Sequence, residues 1–171
     1  MSAGSLRILV VGIGNPDRGD DGIGPRIAEM LRDRVPSGVS VKSRSGDALA
    51  LLQDWAAFDA VILVDAAAPA GAPGRIHRVD FAVEPLPRDL GLASTHAFGI
   101  AEAIALAAQL KRLPPRLVIY AIEAAAFTAG ADLSPAVEAA GEGVASRILA
   151  EVAGWRGGID SDAELFQNAG G

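Results

Sequence analysis

Residues 7 to 24 read Arg7-Ile8-Leu9-Val10-Val11-Gly12-Ile13-Gly14-Asn15-Pro16-Asp17-Arg18-Gly19-Asp20-Asp21-Gly22-Ile23-Gly24. The first part is a short, unbroken apolar run. The second is a glycine-punctuated loop in which Asp17, Asp20 and Asp21 fall within five residues. An amphipathic pattern follows at once. This succession spells a buried strand, a tight loop and the start of a helix. Continuous hydrophobicity, without alternation, marks a central parallel strand covered on both faces. In α/β sheets such a junction lies at the carboxyl edge, where ligands bind.

Downstream, Ile23, Ile27, Met30 and Leu31 recur at helical spacing, and Pro25 suits a first helical turn. Pro36-Ser37-Gly38 ends that helix, and Val39 to Ser43 alternates as strand two. Asp47 is placed to cap helix two, which runs through Trp55 with Leu49, Leu51, Leu52 and Trp55 inward. Residues 59–65 form strand three, again continuously apolar and closed by Asp65. A turn-rich stretch, residues 68–74, leads into alternating residues 75–81. That link is too short for a helical crossover, so strand four is expected antiparallel, at an edge. After a loop at 82–93, Ser94-Thr95-His96 precedes helix three, expected over residues 97–110 with Phe98, Ile100, Ile104 and Ala107 inward. Leu117 to Ile122 is strand five, ending at Glu123. Ser134-Pro135 opens helix four as N-cap and first helical residue, and the helix is expected to reach about Val152. The expected fold is a three-layer α/β sandwich: a mostly parallel, twisted five-stranded sheet, one antiparallel edge strand, and helices on both faces. Residues 1–155 are expected to form one domain and 156–171 a loose tail.

Composition narrows the function. Half the residues are hydrophobic and 21% are charged, which fits a soluble globular protein. With no cysteine, disulfides, thiolate metal ligands and cysteine nucleophiles are excluded. A net charge of −6 with scattered basic residues argues against a nucleic-acid partner. The N-terminus lacks the basic start and apolar block of a signal peptide, and no apolar run reaches the ~20 residues that span a bilayer. A cytoplasmic protein without membrane association is expected, and nothing demands more than a monomer.

The carboxyl ends of strands one, three and five should share one edge, bringing together Asp20 and Asp21, Asp65 and Glu123. Asp21, Asp65 and His96 make a candidate metal or proton-transfer site, because two carboxylates and an imidazole hold a divalent ion and leave positions open. Carboxylates at a helix N-terminus stay ionised, and a histidine there is pushed toward its neutral, ligating form. The bland reading of each residue alone is a cap or a turn. Gly12-Ile13-Gly14 is half of a dinucleotide fingerprint, but Asp17 stands where its third glycine belongs and the following acids repel a pyrophosphate. Ser94 near His96 lacks a nucleophile elbow and a third member, so Ser94 and Thr95 read as caps. His77 reads as a surface or interface residue of an alternating strand. Glu123 supports the site or is a solvated strand end.

Several blocks together resemble one family. Gly12-Ile13-Gly14-Asn15 and Gly19-Asp20-Asp21-Gly22-Ile23-Gly24 are similar to the N-terminal signature of the endopeptidases that mature nickel–iron hydrogenases. The resemblance continues at Val64-Asp65-Ala66, Pro73-Gly74, Ser94-Thr95-His96-Ala97-Phe98-Gly99 and Leu133-Ser134-Pro135-Ala136-Val137, in order, over residues 7 to about 150. It implies removal of a C-terminal extension from the hydrogenase large-subunit precursor, the partner, once nickel is inserted. It also implies that Asp21, Asp65 and His96 contact nickel that belongs to the substrate, so that no permanent cofactor is needed. The loop position is often Glu in relatives and is Asp21 here, so Asp20 competes for the role. Ala121 stands where relatives often have Gly. Two rival functions share these features: a metal-dependent hydrolase of another peptide or small substrate, and a non-catalytic docking or chaperone subunit.

Overall fold

Two strands, β1 (Ile8–Ile13) and β3 (Ala60–Ala67), are buried along their whole length, as unbroken apolar runs require. They lie side by side and parallel at the centre of a five-stranded sheet of order β2-β1-β3-β5-β4. The structure, a computed structural model, describes residues 5–83, 85 and 99–168, with side chains through residue 158. Ser94, Thr95, His96, Ala97 and Phe98 therefore lie outside the described residues. β2 (Val39–Arg44) and β5 (Arg116–Glu123) extend the parallel set, and β4 (Ile76–Asp80) pairs antiparallel with β5 at the edge.

The helices divide between the faces. α1 (Ile23–Leu31) and α4 (Pro135–Asn168) cover one face, where Ile23, Ile27, Leu31, Val144, Ile148 and Val152 pack against alternate residues of β1, β3 and β5. α2 (Ala48–Trp55) and α3 (Ile100–Gln109) cover the other, against Leu9, Val11, Val61, Leu63, Leu117 and Ile119. Alternate burial of consecutive strand residues into two cores is the three-layer sandwich expected from the sequence. α4 is further braced to the sheet at Glu151, which accepts hydrogen bonds from the Tyr120 hydroxyl and the Arg78 guanidinium.

Glycines set how closely α1 approaches. A Cβ on Gly12 would stand 2.1 Å from the Gly24 carbonyl oxygen. One on Gly24 would stand 2.2 Å from the Ile13 oxygen and 2.7 Å from the Val64 oxygen. The first turn of α1 thus rests directly on the backbones of β1 and β3. Side chains other than hydrogen would push it outward and carry the preceding loop with it.

Three expectations are corrected. Leu49 is 62% exposed. The buried stripe of α2 is Ala48, Leu51, Leu52 and Trp55, the i, i+3, i+4, i+7 set, and Leu49 lies off it. α3 begins at Ile100 and not at residue 97. Gly99 is its extended N-cap, and the Glu102 carboxylate accepts the Gly99 N–H at 2.8 Å, the reach-back that glutamate makes from the third helical position. α4 continues to Asn168 through the stretch expected as a loose tail. Gly157 and Gly158 cost helix stability, about 1 kcal/mol each relative to alanine, but unlike proline they remove no backbone donor. Ser134 stands at the expected N-cap position before Pro135, and its hydroxyl donates to Asp20 Oδ2 at 3.0 Å, tying the start of α4 to the 3-10 turn Gly19–Gly22.

Two substitutions test this packing. Gly24→Ala is expected to cost about 3 kcal/mol, at the upper end of overpacking penalties, in urea unfolding. Lys111 follows α3 with φ 54°, a left-handed conformation that disfavours a Cβ. Lys111→Gly should therefore stabilise the protein by about 1 kcal/mol in the same assay.

Candidate active site at the carboxyl edge

The chain leaves β1 toward β2 on one side and later returns to β3 on the other. The crevice outside the carboxyl ends of β1 and β3 is therefore the topological switch point of the sheet. Asp21 enters it from the 3-10 turn, and Asp65 from within β3 near its end. Both are buried, Asp21 at 4% and Asp65 at 1% exposure. Asp21 Oδ2 accepts the Asn15 N–H at 3.1 Å. Asp65 Oδ1 accepts the Ala66 N–H at 2.9 Å, whereas its Oδ2 is buried without a hydrogen-bond partner among the described residues. Burial, above all, holds the Asp65 carboxyl well above the usual carboxylate range. The Ala66 N–H partly opposes that shift, and the neighbouring charge of Asp21 adds to it.

Asp20, the sequence's competitor for the loop role, faces elsewhere. Its Oδ1 accepts the Ser134 N–H at 2.6 Å, and its Oδ2 accepts the Ala125 N–H at 2.7 Å, the Ala126 N–H at 3.3 Å and the Ser134 hydroxyl. The two adjacent acids thus have different partners: Asp20 the 124–134 loop, Asp21 the crevice. Gly14, read from the sequence as half of a phosphate loop, has an internal duty. At φ +142° it lets the chain pass so close to the turn that a Cβ would lie 1.9 Å from the Asp21 carbonyl oxygen.

Glu123 is no solvated strand end, since it is only 1% exposed. Its Oε1 accepts the N–H groups of Ala70 at 2.8 Å and Ala72 at 2.6 Å, and its backbone oxygen accepts the Gly74 N–H at 2.8 Å. The Ala72 amide, then that of Ala70, with smaller help from Arg75 and His77, holds its carboxyl below the usual range. Glu123 therefore braces the 68–74 turn beside Asp65. A proline- and glycine-rich turn needing acceptors was the available sequence signal, but strand adjacency was not. His77 lies half-buried on β4. Among the described residues, no three histidine or acidic side chains gather into a metal-holding group. The structure brings Asp21 and Asp65 together, and His96 lies outside the described residues. An open cleft of about 380 Å³ adjoins the turn on its α1 side, bordered by Pro16, Gly22, Arg26, Arg32 and Asp132.

The fold and crevice define a class: an α/β protein with paired buried carboxylates at the switch point of a sheet of order 2-1-3-5-4. Known proteins narrow it further. The HycI family model, hydrogenase maturation protease, matches residues 43–151. The hydrogenase 2 maturation protease of Escherichia coli K12 is 30% identical over 149 residues, covering 85% of this chain and 90% of the relative. The hydrogenase expression/formation protein HupM of Azotobacter chroococcum is 32% identical over 129 residues, 73% of this chain and 61% of its own length. The solved structure of the hydrogenase maturating endopeptidase HybD from E. coli superposes with a TM-score of 0.66 at 28% identity, covering 86% of this chain and 92% of that one. The chain belongs to the hydrogenase maturation protease family. It spans about three-fifths of the length of the HupM and HoxM relatives from Azotobacter. No helix among the described residues is long and apolar enough to cross a membrane.

The raised pKa of Asp65 has a testable sign. Folded Asp65 holds its proton more firmly than unfolded Asp65. Its contribution to stability is therefore full below the ordinary value of about 3.9 and is lost as the pH rises toward the folded value. Asp65→Asn keeps an acceptor for the Ala66 N–H and removes the charge. It is expected to raise the Tm of metal-free protein at pH 7, with the gain fading by about pH 4. Thermal melts across that range in a chelator check it.

Proposed function

We propose that this protein is an endopeptidase that removes the C-terminal extension from the nickel-loaded large-subunit precursor of a nickel–iron hydrogenase. The observation that carries the reading is the Asp21–Asp65 pair, buried at the switch point of a chain in this family, with Asp65 Oδ2 left without a hydrogen-bond partner among the described residues. A buried carboxylate oxygen lacking a donor is costly unless a cation or a proton meets it. The donor chemistry fits a divalent ion of borderline softness, with Asp21, Asp65 and His96 as the contacting groups.

In this reading nickel arrives on the precursor and is the recognition signal, so the enzyme carries no permanent cofactor. When bound, the ion supplies Lewis acidity at the scissile carbonyl, which water then attacks. The chain's own residues place the substrate. Asp65 shares its sheet face with Val61 and Leu63, the face covered by α2 and α3. His96 precedes Gly99, the cap of α3, by three residues in sequence. Braced by Glu123 and Asp20, the 68–74 turn and the 124–134 loop form fixed rims around the crevice. Fixed rims lower the ordering cost of binding a polypeptide.

Mass spectrometry of the large subunit, incubated with the protein in extract from nickel-replete cells, tests the proposal. The wild type should shorten the precursor. Asp21→Asn, Asp65→Asn and His96→Ala should each slow shortening by at least about 100-fold while circular dichroism shows a folded protein. Undiminished cleavage by His96→Ala would remove that residue from the site. A precursor that is bound but never shortened would make the protein a docking subunit. Cleavage of unrelated peptides with a protein-borne metal would make it a different hydrolase.

A further inference from the structure

Asp20 is even more buried than Asp21, at 1% exposure, yet both of its oxygens are engaged by the 124–134 loop through the four hydrogen bonds described above. The same loop returns backbone bonds to the turn. The Asp20 N–H donates to the Ala126 oxygen at 3.2 Å, the Gly19 N–H to the Ala131 oxygen at 3.1 Å, and the Gly130 N–H to the Asp17 oxygen at 2.8 Å. Gly19, at φ +54°, allows this approach, since a Cβ there would press on the Ala126 oxygen at 3.1 Å. Besides its own backbone bond, from the Asp21 N–H to the Arg18 oxygen at 3.2 Å, the turn is held by the loop on one side and by the Asn15 N–H to Asp21 Oδ2 bond on the other.

We propose that Asp20 is a positioning residue, whose carboxylate clamps the 124–134 loop to the 3-10 turn and so holds Asp21 facing Asp65. The chemistry suits a carboxylate. It offers only acceptor sites, and its four partners among the described residues are all N–H or O–H donors. Its oxygens are thereby committed within the protein. The functional part of this inference rests on the peptidase reading; the structural part does not.

The Asn15 amide reports on Asp21 directly, so its hydrogen exchange, followed by NMR, tests the clamp without any substrate. Asp20→Asn turns an NH2 group toward the loop donors. Exchange at Asn15 should quicken by about tenfold or more, while the sheet amides of Val10 and Ile62 keep their protection. Unchanged exchange at Asn15 overturns the proposal. Should Asp20→Asn fail to fold, Ser134→Ala removes one donor only and should quicken Asn15 exchange by about threefold; no change in that variant also overturns it.

Kinetics on the precursor provide the second arm. Asp20→Asn should lower kcat by about tenfold with KM within about twofold, the mark of a misplaced group rather than lost binding. Asp21→Asn should abolish cleavage. If Asp20→Asn abolishes cleavage and Asp21→Asn cleaves normally, Asp20 is the ion-contacting residue and the positioning role fails, with the peptidase reading intact. If the wild type does not cleave the precursor, the peptidase reading fails, and Asn15 exchange still decides the clamp.

Discussion

The structure depends on one close approach, the backbone of the first turn of α1 lying against β1 and β3 with no side chain between. Gly12 and Gly24 make it possible, because either would otherwise drive a Cβ to within about 2.2 Å of a carbonyl oxygen. Everything at the carboxyl edge follows from that contact. The 3-10 turn is carried to the mouth of the switch point, and its end, at Asp21, is brought within electrostatic reach of Asp65. Gly14 extends the same logic by one step, allowing the strand exit to touch the backbone of Asp21.

Four buried carboxylates stand around this edge, and their hydrogen bonding separates them. Asp20 faces four donors; Glu123 has two amides on one oxygen, which hold its charged form, although its other oxygen, like Asp65 Oδ2, has no partner among the described residues. Asp21 accepts from Asn15. Among the described residues, Asp65 has a single backbone donor on one oxygen and none on the other, in a place where burial opposes its charged form. A protein built only for stability would not keep such a group. Its retention at the crevice fits the trade of stability for function common in binding and catalytic sites.

Much of the architecture was legible in advance, and for identifiable reasons. The unbroken runs of β1 and β3 announced central strands, the short 68–74 link announced an antiparallel edge strand, and Asp47 announced the start of α2. The misjudged points are those where local pattern is ambiguous. Leu49 belongs to an apolar segment but lies off the helical stripe. Gly99 falls inside the expected helix three and is its N-cap, fixed by Glu102 reaching back to it. The glycines of α4 look like a terminus because composition records their cost and not the backbone bonds they preserve.

At the site, the sequence alone determined the chemistry available and its approximate address. The acids at 17–21, Asp65 at the end of an apolar run and Glu123 at the end of another all had to lie on the carboxyl edge, because right-handed parallel crossovers leave no other arrangement. Their division of labour belongs to the tertiary structure. Asp20 and Asp21 are neighbours of the same type, indistinguishable by composition or spacing. Only folding shows that one meets the donors of a loop more than a hundred residues away while the other meets Asp65. Periodicity reports which face of an element is buried. The direction of a carboxylate, and the donors waiting for it, depend on chain segments that come together only in space.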